Sequence, residues 1–251
     1  MLWQEQNYRQ LEAALAAGNE GRSVAILPVG AIEAHGPHLP VGTDILIAEA
    51  MAREGAEELG KEGIVALVLP ALAYAPAPFA NTHAGTLSIR PESLTALVVD
   101  IGSAVALRGF QVLALANAHF DPVQVLALRS AAEQLRRSNR VRVAFPDLTR
   151  RPLAERLGEA FRSGACHAGQ YESSILLAER PDLVDDAARL RLSPLPVSLV
   201  EASRSGHTTF IEAGLKLAYC GDPASASVEE GRRHVVELGA ILAEAVRAEL
   251  V

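Results

Sequence analysis

Short apolar runs alternate along this chain with longer amphipathic stretches. The apolar runs predict strands at 23–28, 64–69, 111–116 and 141–146. Helical periodicity predicts helices up to about Ala17 with a stop at Gly18, and over 44–59, 91–108, 122–137, 152–162, 169–179 and 228–251. Alternation of strands and helices is typical of an α/β protein. We therefore expect a three-layer α/β/α fold with a mostly parallel central sheet.

Two stretches lack a regular pattern. Residues 64–82 carry no charge but include three prolines, which exclude one continuous helix and favour a strand followed by an irregular loop. A loop over 70–90 is long, and long loops are often functional. The stretch 180–206 is also expected to be irregular. Without an internal repeat or linker, residues 1–251 are predicted to form one domain.

Composition narrows the classes of protein. The chain is 49% hydrophobic and 21% charged, which is typical of a globular protein. A net charge of −7 without a basic run argues against nucleic acid or membrane surfaces as partners. Two cysteines and a polar N-terminus favour a reducing, cytoplasmic location over a secreted, disulfide-rich one.

The densest group of chemical side chains lies at residues 33–44, directly after the first predicted strand. It contains Glu33, His35, His38 and Asp44. In a parallel sheet this position is the carboxyl edge, where ligands bind. Carboxylates and imidazoles on one loop are suited to a divalent metal. The alternative is a polar loop in which Asp44 is only the N-cap of the next helix.

A second group, at 117–122, follows the third predicted strand and belongs to the same edge. His119 and Asp121 could both face one centre. Asp121, Pro122 and Gln124 also fit an N-cap, a first-turn proline and a capping-box glutamine. An N-cap aspartate can still offer a free oxygen to a metal, so both interpretations stay open.

A third group lies at 166–172. His167 precedes a predicted helix, and Glu172 lies in its first turns, where the helix dipole alone could account for an acidic residue. Cys166 could be a nucleophile, although a small buried thiol is the commoner case. His83 and His207 lie in predicted loops and could line a pocket. The sequence contains no GxSxG, GxGxxG or Walker A pattern.

Together these segments resemble the creatininase (creatinine amidohydrolase) family. The matching segments are LPVGAIEAHGPHLPVGTD (27–44), AGTLSIRPESL (84–94), RGFQVLALANAH (108–119), HAGQYESSILLAERPDLV (167–184) and GDP (221–223). They span nearly the whole chain in order. The resemblance implies an α/β hydrolase with two divalent ions per chain, which mixed nitrogen and oxygen ligands would suit as Zn, Mn or Fe. It also implies a homo-oligomer, for which a hexamer is the expected assembly.

The resemblance further implies roles for single residues. Glu33 and His119 would bind one metal, His35 would bind the other, and Asp44 would bridge the two. Either Asp121 or Glu172 would complete the second metal site. His167 matches a family histidine that faces the substrate. On chemical grounds we expect it to donate a proton to the leaving nitrogen, with Glu172 as a candidate supporting carboxylate.

The substrate is left open. We expect His83, Asn117 and Phe120 to contact it, although His83 and Ala84 stand where relatives usually have Phe-Pro. The chain has a single tryptophan, Trp3, and none at 147–166, where creatininase closes tryptophans over creatinine. We therefore expect a metal-dependent hydrolase of a C–N amide bond in a cyclic amide, formamide or short peptide, but not one specific for creatinine. Relatives include mycofactocin-type peptidases and formamide deformylases, and a metal-binding subunit without hydrolytic activity is a further alternative.

Overall fold

The central sheet has four parallel strands within the described residues. A computed structural model describes residues 1–17 and 22–251, so the helix stop expected at Gly18 lies outside the described residues. The strands are β1 (Ser23–Val29), β2 (Val65–Val68), β3 (Val112–Asn117) and β4 (Arg142–Ala144), in the order β2-β1-β3-β4. Every residue of β1 is buried. This is the pattern of a strand that is covered on both faces of a parallel sheet.

Helices cover both faces of this sheet. They are α1 (Tyr8–Ala17), α2 (Thr43–Gly60), α3 (Pro91–Leu107), α4 (Pro122–Ser138), α5 (Arg151–Ala154), α6 (Gly158–Arg162), α7 (Gln170–Glu179), α8 (Asp186–Arg189), α9 (Leu199–Arg204) and α10 (Val228–Leu250). One core joins Ile26 of β1 to Met51 and Leu242 on α2 and α10. A second core joins Leu27 of β1 to Leu128 on α4. The expected three-layer α/β/α architecture is thus confirmed.

The helix expected at 152–162 is interrupted. Instead, α5 and α6 are separated by a 3₁₀ turn over Glu155–Leu157. Gly158 then has a φ of 83°, a left-handed value that glycine adopts readily and that breaks an α-helix. The prediction of one continuous helix was therefore wrong.

The stretch 180–206 is more regular than expected, because it contains α8 and α9. Asp185 caps α8 by accepting a hydrogen bond from the amide of Ala188 at 2.8 Å. Ser198 caps α9 by accepting one from the amide of Glu201 at 3.4 Å. Side-chain acceptors before short helices are the usual N-cap arrangement.

The carboxyl edge of the sheet brings two of the sequence clusters together. β1 and β3 are neighbours, and Val29 is in register with Asn117 at their ends. At Gly30, an added Cβ would lie 2.5 Å from the amide nitrogen of Ile45. The missing side chain therefore lets the start of α2 pack closely against the end of β1. Within the described residues, none of the helices combines the length and apolar character needed to cross a membrane.

Candidate metal centre

The loop after β1 and the first turn of α2 supply three side chains of the centre. Glu33 and His35 lie in the loop, and the amide of Glu33 donates a hydrogen bond to the carbonyl of Val41 at 3.0 Å. Asp44 lies inside α2, because the cap position is Gly42 and the helix begins at Thr43. The alternative of Asp44 as the N-cap is therefore wrong. Its carboxylate is free to face Glu33 and His35.

The segment before α7 closes the centre from the other side. Ala168 has a φ of 46°, which is unusual for a residue with a side chain. In this conformation its amide donates a hydrogen bond of 2.6 Å to Oε2 of Glu172. The bond fixes the Glu172 carboxylate near the loop that follows β1.

Three carboxylates meet in an almost dry space. Glu33, Asp44 and Glu172 are 2%, 1% and 3% exposed. Buried carboxylates are costly unless cations or hydrogen-bond donors compensate them. The arrangement therefore calls for positive charge at its centre.

His119 is oriented as metal-bound histidines commonly are. Its Nε2 lies 3.0 Å from the carbonyl oxygen of Pro76, to which it donates a hydrogen bond. Its Nδ1 lies 3.1 Å from Oε1 of Glu33 and 3.0 Å from Oδ2 of Asp44. A backbone carbonyl behind one ring nitrogen directs the other nitrogen, with its lone pair, toward a cation.

His35 repeats this orientation with the opposite ring nitrogen. Its Nδ1 lies 3.1 Å from the backbone carbonyl oxygen of Glu33. Its Nε2 lies 3.0 Å from Oδ1 of Asp44 and 3.6 Å from Oε2 of Glu172. The two histidines thus approach different oxygens of the same aspartate.

Three groups of possible ligands meet at the centre. Glu33, His35 and His167 form one of them, and the other two share Asp44. Of these two, Glu33, Asp44 and His119 form one, and His35, Asp44 and Glu172 form the other, with ligand atoms within 4.8 Å of one another in each. Oδ2 of Asp44 is buried and has no hydrogen-bond partner among the described residues. Mixed carboxylate and imidazole donors fit Zn, Mn or Fe. The two groups that share Asp44 therefore each fit a divalent cation.

Protonation of the metal-free centre agrees with this fit. Burial opposes an imidazolium at His35, but Asp44, Glu172 and Glu33 outweigh it and raise its pKa to about 10. Glu33 and Asp44 likewise raise the pKa of His119 against the effect of burial. Burial raises the pKa of Glu172 to about 8. The metal-free centre therefore holds protons at the same side chains where a bound metal ion would replace them.

His167 lies beside the two groups that share Asp44, and its pKa is shifted in the opposite direction to those of His35 and His119. Its Nε2 lies 2.9 Å from the carbonyl oxygen of Ala34, and its Nδ1 lies 3.7 Å from Oε1 of Glu33. Its ring lies between those of His35 and Phe210, at centroid distances of 4.5 and 4.4 Å. Burial, reinforced by His35, lowers the pKa of His167 well below its usual range. The imidazole is therefore neutral, with an unprotonated Nδ1 facing the carboxylates.

Asp121 does not join these groups in the described part of the chain. Its Oδ1 accepts a hydrogen bond of 2.8 Å from the amide of Val123, which confirms the N-cap. Its Oδ2 accepts one of 3.4 Å from the amide of Phe79. The geometry thus favours Glu172 over Asp121 at the second group. Gln124 is not a capping-box residue, because it donates a 2.6 Å hydrogen bond to Oδ1 of Asn117 instead.

The expected substrate contacts lie in different surroundings. Phe120 lines the cavity beside the metal groups. Asn117 is buried behind the centre and donates a 2.7 Å hydrogen bond to the carbonyl of His119. His83 lies near the carbonyl of Lys216, at 3.2 Å, and does not line the cavity. As substrate contacts, Asn117 and His83 stay predictions.

Two further side chains from the sequence clusters have local surroundings of their own. His38 is buried, and its Nε2 lies 2.9 Å from Oγ of Ser173, outside the metal groups. Cys166 lines the cavity. Burial and the nearby Glu172 raise the pKa of its thiol well above the usual range. A thiol that stays protonated is a poor nucleophile, so the structure supports the packing role of Cys166.

A cavity of about 480 Å³ opens from the centre to the surface. Side chains that the sequence reasoning missed form much of its wall: Phe79, Phe161, Leu199, Val200, Arg204 and Phe210. A signal for α9 was present in the sequence. Ser198 and Glu201 form the S-x-x-E pattern of a capping box, and this pattern marks the start of α9.

Fold and site together define an α/β protein with a buried carboxylate–imidazole centre suited to metal. The family model for creatininase (creatinine amidohydrolase) matches residues 4–246. The chain belongs to the creatininase family, and it is a hydrolase that acts on carbon–nitrogen bonds.

Individual relatives differ in their named substrates. A mycofactocin precursor peptide peptidase from Mycobacterium tuberculosis is 35% identical over 215 residues, covering 83% of this chain and 78% of the relative. A creatinine amidohydrolase from Pseudomonas putida is 32% identical over 196 residues, covering 72% of each. A solved structure of a creatinine amidohydrolase is 28% identical, with a TM-score of 0.77 over 99% of this chain and 97% of that one.

Proposed function

We propose that this protein hydrolyses a C–N amide bond at a centre of two divalent metal ions. The observation that carries the proposal is the pair of ligand groups that share Asp44. Glu33, Asp44 and His119 would hold one ion, and His35, Asp44 and Glu172 the other. Two bound ions would polarise the amide carbonyl and lower the pKa of a water molecule at the site.

His167 is the proposed proton carrier. Its Nδ1 is unprotonated because Nε2 donates to the carbonyl of Ala34. Nδ1 can therefore accept the proton that the attacking water loses and pass it to the leaving nitrogen as the C–N bond breaks. The lowered pKa of His167 keeps the imidazole in the form that accepts a proton and makes its imidazolium a stronger acid toward the leaving nitrogen. A metal ion bound by His35 would add positive charge beside His167. This charge would keep the imidazole neutral before it accepts the proton.

Among the possible amides, the cavity favours a short peptide or a peptide-like molecule over a small ring. Its volume of about 480 Å³ is within the usual range for drug-sized ligands. The relative from Mycobacterium tuberculosis is named a peptide peptidase, which agrees with this choice. We also propose a single domain over 1–251, because the sequence has no internal repeat or linker. A homo-oligomeric assembly is proposed because the family resemblance implies it.

An activity assay on metal-loaded protein tests the proposal. Short peptides, formamides and cyclic amides are incubated with Zn- and Mn-loaded protein, and released amines are measured. We expect hydrolysis that is abolished by a chelator, restored by metal and lost in Asp44→Ala. Hydrolysis that persists fully in the chelated protein would reject the metal-dependent reaction. Metal binding without hydrolysis of any class would instead support the alternative of a non-hydrolytic metal-binding subunit.

A further inference from the structure

The cavity extends well beyond the metal groups. Glu33, His119 and Glu172 are buried where they line the cavity, and we call this part its inner end. Its outer wall is the part where α6 and α9 contribute the exposed residues Arg162, Val200 and Arg204. A substrate whose amide carbon reaches the carboxylates must therefore also fill or cross the outer part. The chemistry of that outer part selects the rest of the substrate.

The middle of the cavity is apolar and aromatic. Phe79 and Phe210 form one ring pair, with centroids 5.9 Å apart. Phe120 and Phe161 form another, edge to face at 5.1 Å. All four rings line the cavity. Such surfaces favour an apolar or aromatic segment next to the scissile bond.

The outer part is cationic, although the chain as a whole is acidic. Arg129, Arg162 and Arg204 line the cavity in a protein whose net charge is −7. Arg129 already pairs with Asp147, its Nε lying 2.9 Å from the carboxylate. Arg162 pairs with Glu159 at 2.8 Å. Each of these two arginines is thus partly neutralised by a carboxylate of the protein.

Arg204 differs from the other two arginines. Across 1–17 and 22–251, no carboxylate forms an ion pair with its guanidinium. It ends α9, whose other cavity-lining residues are Leu199, Val200 and Ser203. The amide of Leu199 donates a 3.0 Å hydrogen bond to the carbonyl of Gly164, which fixes this helix against the cavity wall.

Stabilisation of the helix end is the alternative role for Arg204. A cation near a helix C-terminus is favourable by itself. That effect explains a cation at the end of α9, but it does not call for one that lines a cavity with aromatic walls. The two roles differ in what they predict for ligand selectivity, which a helix-end effect leaves unchanged.

We propose that the molecule held in this cavity has an apolar segment followed by an anionic group, and that Arg204 binds this group. The guanidinium suits a carboxylate or a phosphate, since both accept paired hydrogen bonds from it. The proposal rests on the proposed hydrolase function for its orientation, with the amide at the metal end and the anion at α9. Arg204 is then a residue that determines specificity and takes no part in bond cleavage.

Binding of three unreactive probes tests the proposal directly. Metal-loaded wild type and Arg204→Gln are titrated by calorimetry with 3-phenylpropionate, 2-phenylethylphosphonate and the neutral 3-phenylpropan-1-ol. Arg140→Gln is the matched control, because Arg140 is exposed and does not line the cavity. Metal content and circular dichroism establish that the variants are folded and loaded alike.

We expect at least one anionic probe to bind wild type and Arg140→Gln alike, and Arg204→Gln about tenfold more weakly. The neutral probe should bind all three proteins alike and more weakly than that anion. Comparing carboxylate with phosphonate identifies the preferred anion.

Equal binding of the anions to wild type and Arg204→Gln would overturn the proposal, because it would locate them at the metals alone. Failure of both anions to bind wild type would overturn it as well. Arg204-dependent binding in a protein that hydrolyses no amide would reject the proposed reaction but support the anion site. The two proposals can therefore fail separately.

Discussion

The two ends of the cavity are built in different ways. The inner end is formed by loops directly after β1 and β3 and by the first turns of α2 and α7, and its side chains are nearly inaccessible. The outer wall is formed partly by the short helices α6 and α9, and Arg204 and Val200 are exposed there. Buried carboxylates and histidines at fixed positions suit one reaction chemistry. An exposed wall can change its side chains at little cost in stability, so substrate preference can vary while that chemistry is kept.

The largest effect on rate is expected for His167 at the inner end. His167→Ala should retain both metals but lose about 10²–10⁴-fold in single-turnover rate, which is the usual contribution of a general acid–base group. The measurement is metal content and rate on the same sample. Loss of one ion would assign His167 to the metal ligands, as its proximity to Glu33 and His35 allows.

His83→Ala is the matched control, because this histidine does not line the cavity. An unchanged rate is expected. A strong increase in KM would instead support the substrate contact that the loop position of His83 predicts.

Creatinine should be a poor substrate because of the outer wall. Trp3 packs against Phe110, with ring centroids 5.6 Å apart, and does not line the cavity. Without tryptophans over the ring, misplacement by about 1 Å can cost about 10²-fold in rate. We expect a kcat/KM for creatinine at least ~10²-fold below that for the best short amide, measured in parallel. A value of ~10⁴ M⁻¹s⁻¹ or more would equal that of ordinary enzymes and contradict this account.

The stability of the metal-free protein should fall as pH rises from 6.5 to 8.5. The folded-state pKa of His35 is raised to about 10 by Asp44, Glu172 and Glu33 against the effect of burial, so its stabilising proton is present below pH 6.5 and lost toward pH 10. Burial raises the pKa of Glu172 from 4.5 to about 8, so its contribution is lost between those values. Both effects act in the same direction between pH 6.5 and 8.

Thermal unfolding of chelated and metal-loaded protein at pH 6.5 and 8.5 measures this effect. The chelated form should lose several degrees in Tm, since ~1 kcal/mol corresponds to about 2–4 °C for a protein of this size. The loaded form should lose less, because metal binding strengthens as ligands deprotonate. A chelated Tm that rises with pH would contradict the described electrostatics. Glu172→Gln in the chelated form should show a smaller decrease.

The smallest effect is expected for Val200 on the outer wall. Its side chain lines the cavity and is 48% exposed. Val200→Ala removes two methyl groups from a partly exposed surface, so KM should rise about two- to fivefold with kcat and metal content unchanged. Val236→Ala, an exposed position on α10 outside the cavity, is the matched control. A decrease in metal content in Val200→Ala would show that the two ends are not independent.

The sequence predicted the inner end better than the outer wall, for physical reasons. Polar residues directly after buried strands converge because the carboxyl ends of parallel strands lie at one edge of the sheet, and β1 and β3 are neighbours there. The sequence could not show whether Asp121 or Glu172 completes the second ligand group. The answer depends on the backbone conformation of Ala168 and on the backbone amides that donate hydrogen bonds to Asp121.

The outer wall depends on short elements that hydrophobic periodicity does not detect. α9 has six residues, fewer than two full turns, so only its N-cap pattern at Ser198 could have indicated it. The break at Gly158 depends on a backbone angle that a lone glycine only suggests. How α6, which carries Phe161, and α9 come to line one cavity with Phe79 and Phe210 depends on tertiary packing.

Metal stoichiometry in three proteins tests the central claim, that two ions share Asp44, most directly. Wild type, Asp44→Ala and Asp121→Asn are loaded alike with zinc, freed of excess by gel filtration and measured by elemental analysis. Asparagine is a suitable control, because it preserves the N-cap of α4. The account predicts two ions per chain in wild type and in Asp121→Asn, and none in Asp44→Ala. Two retained ions in Asp44→Ala, or a loss only in Asp121→Asn, would contradict it.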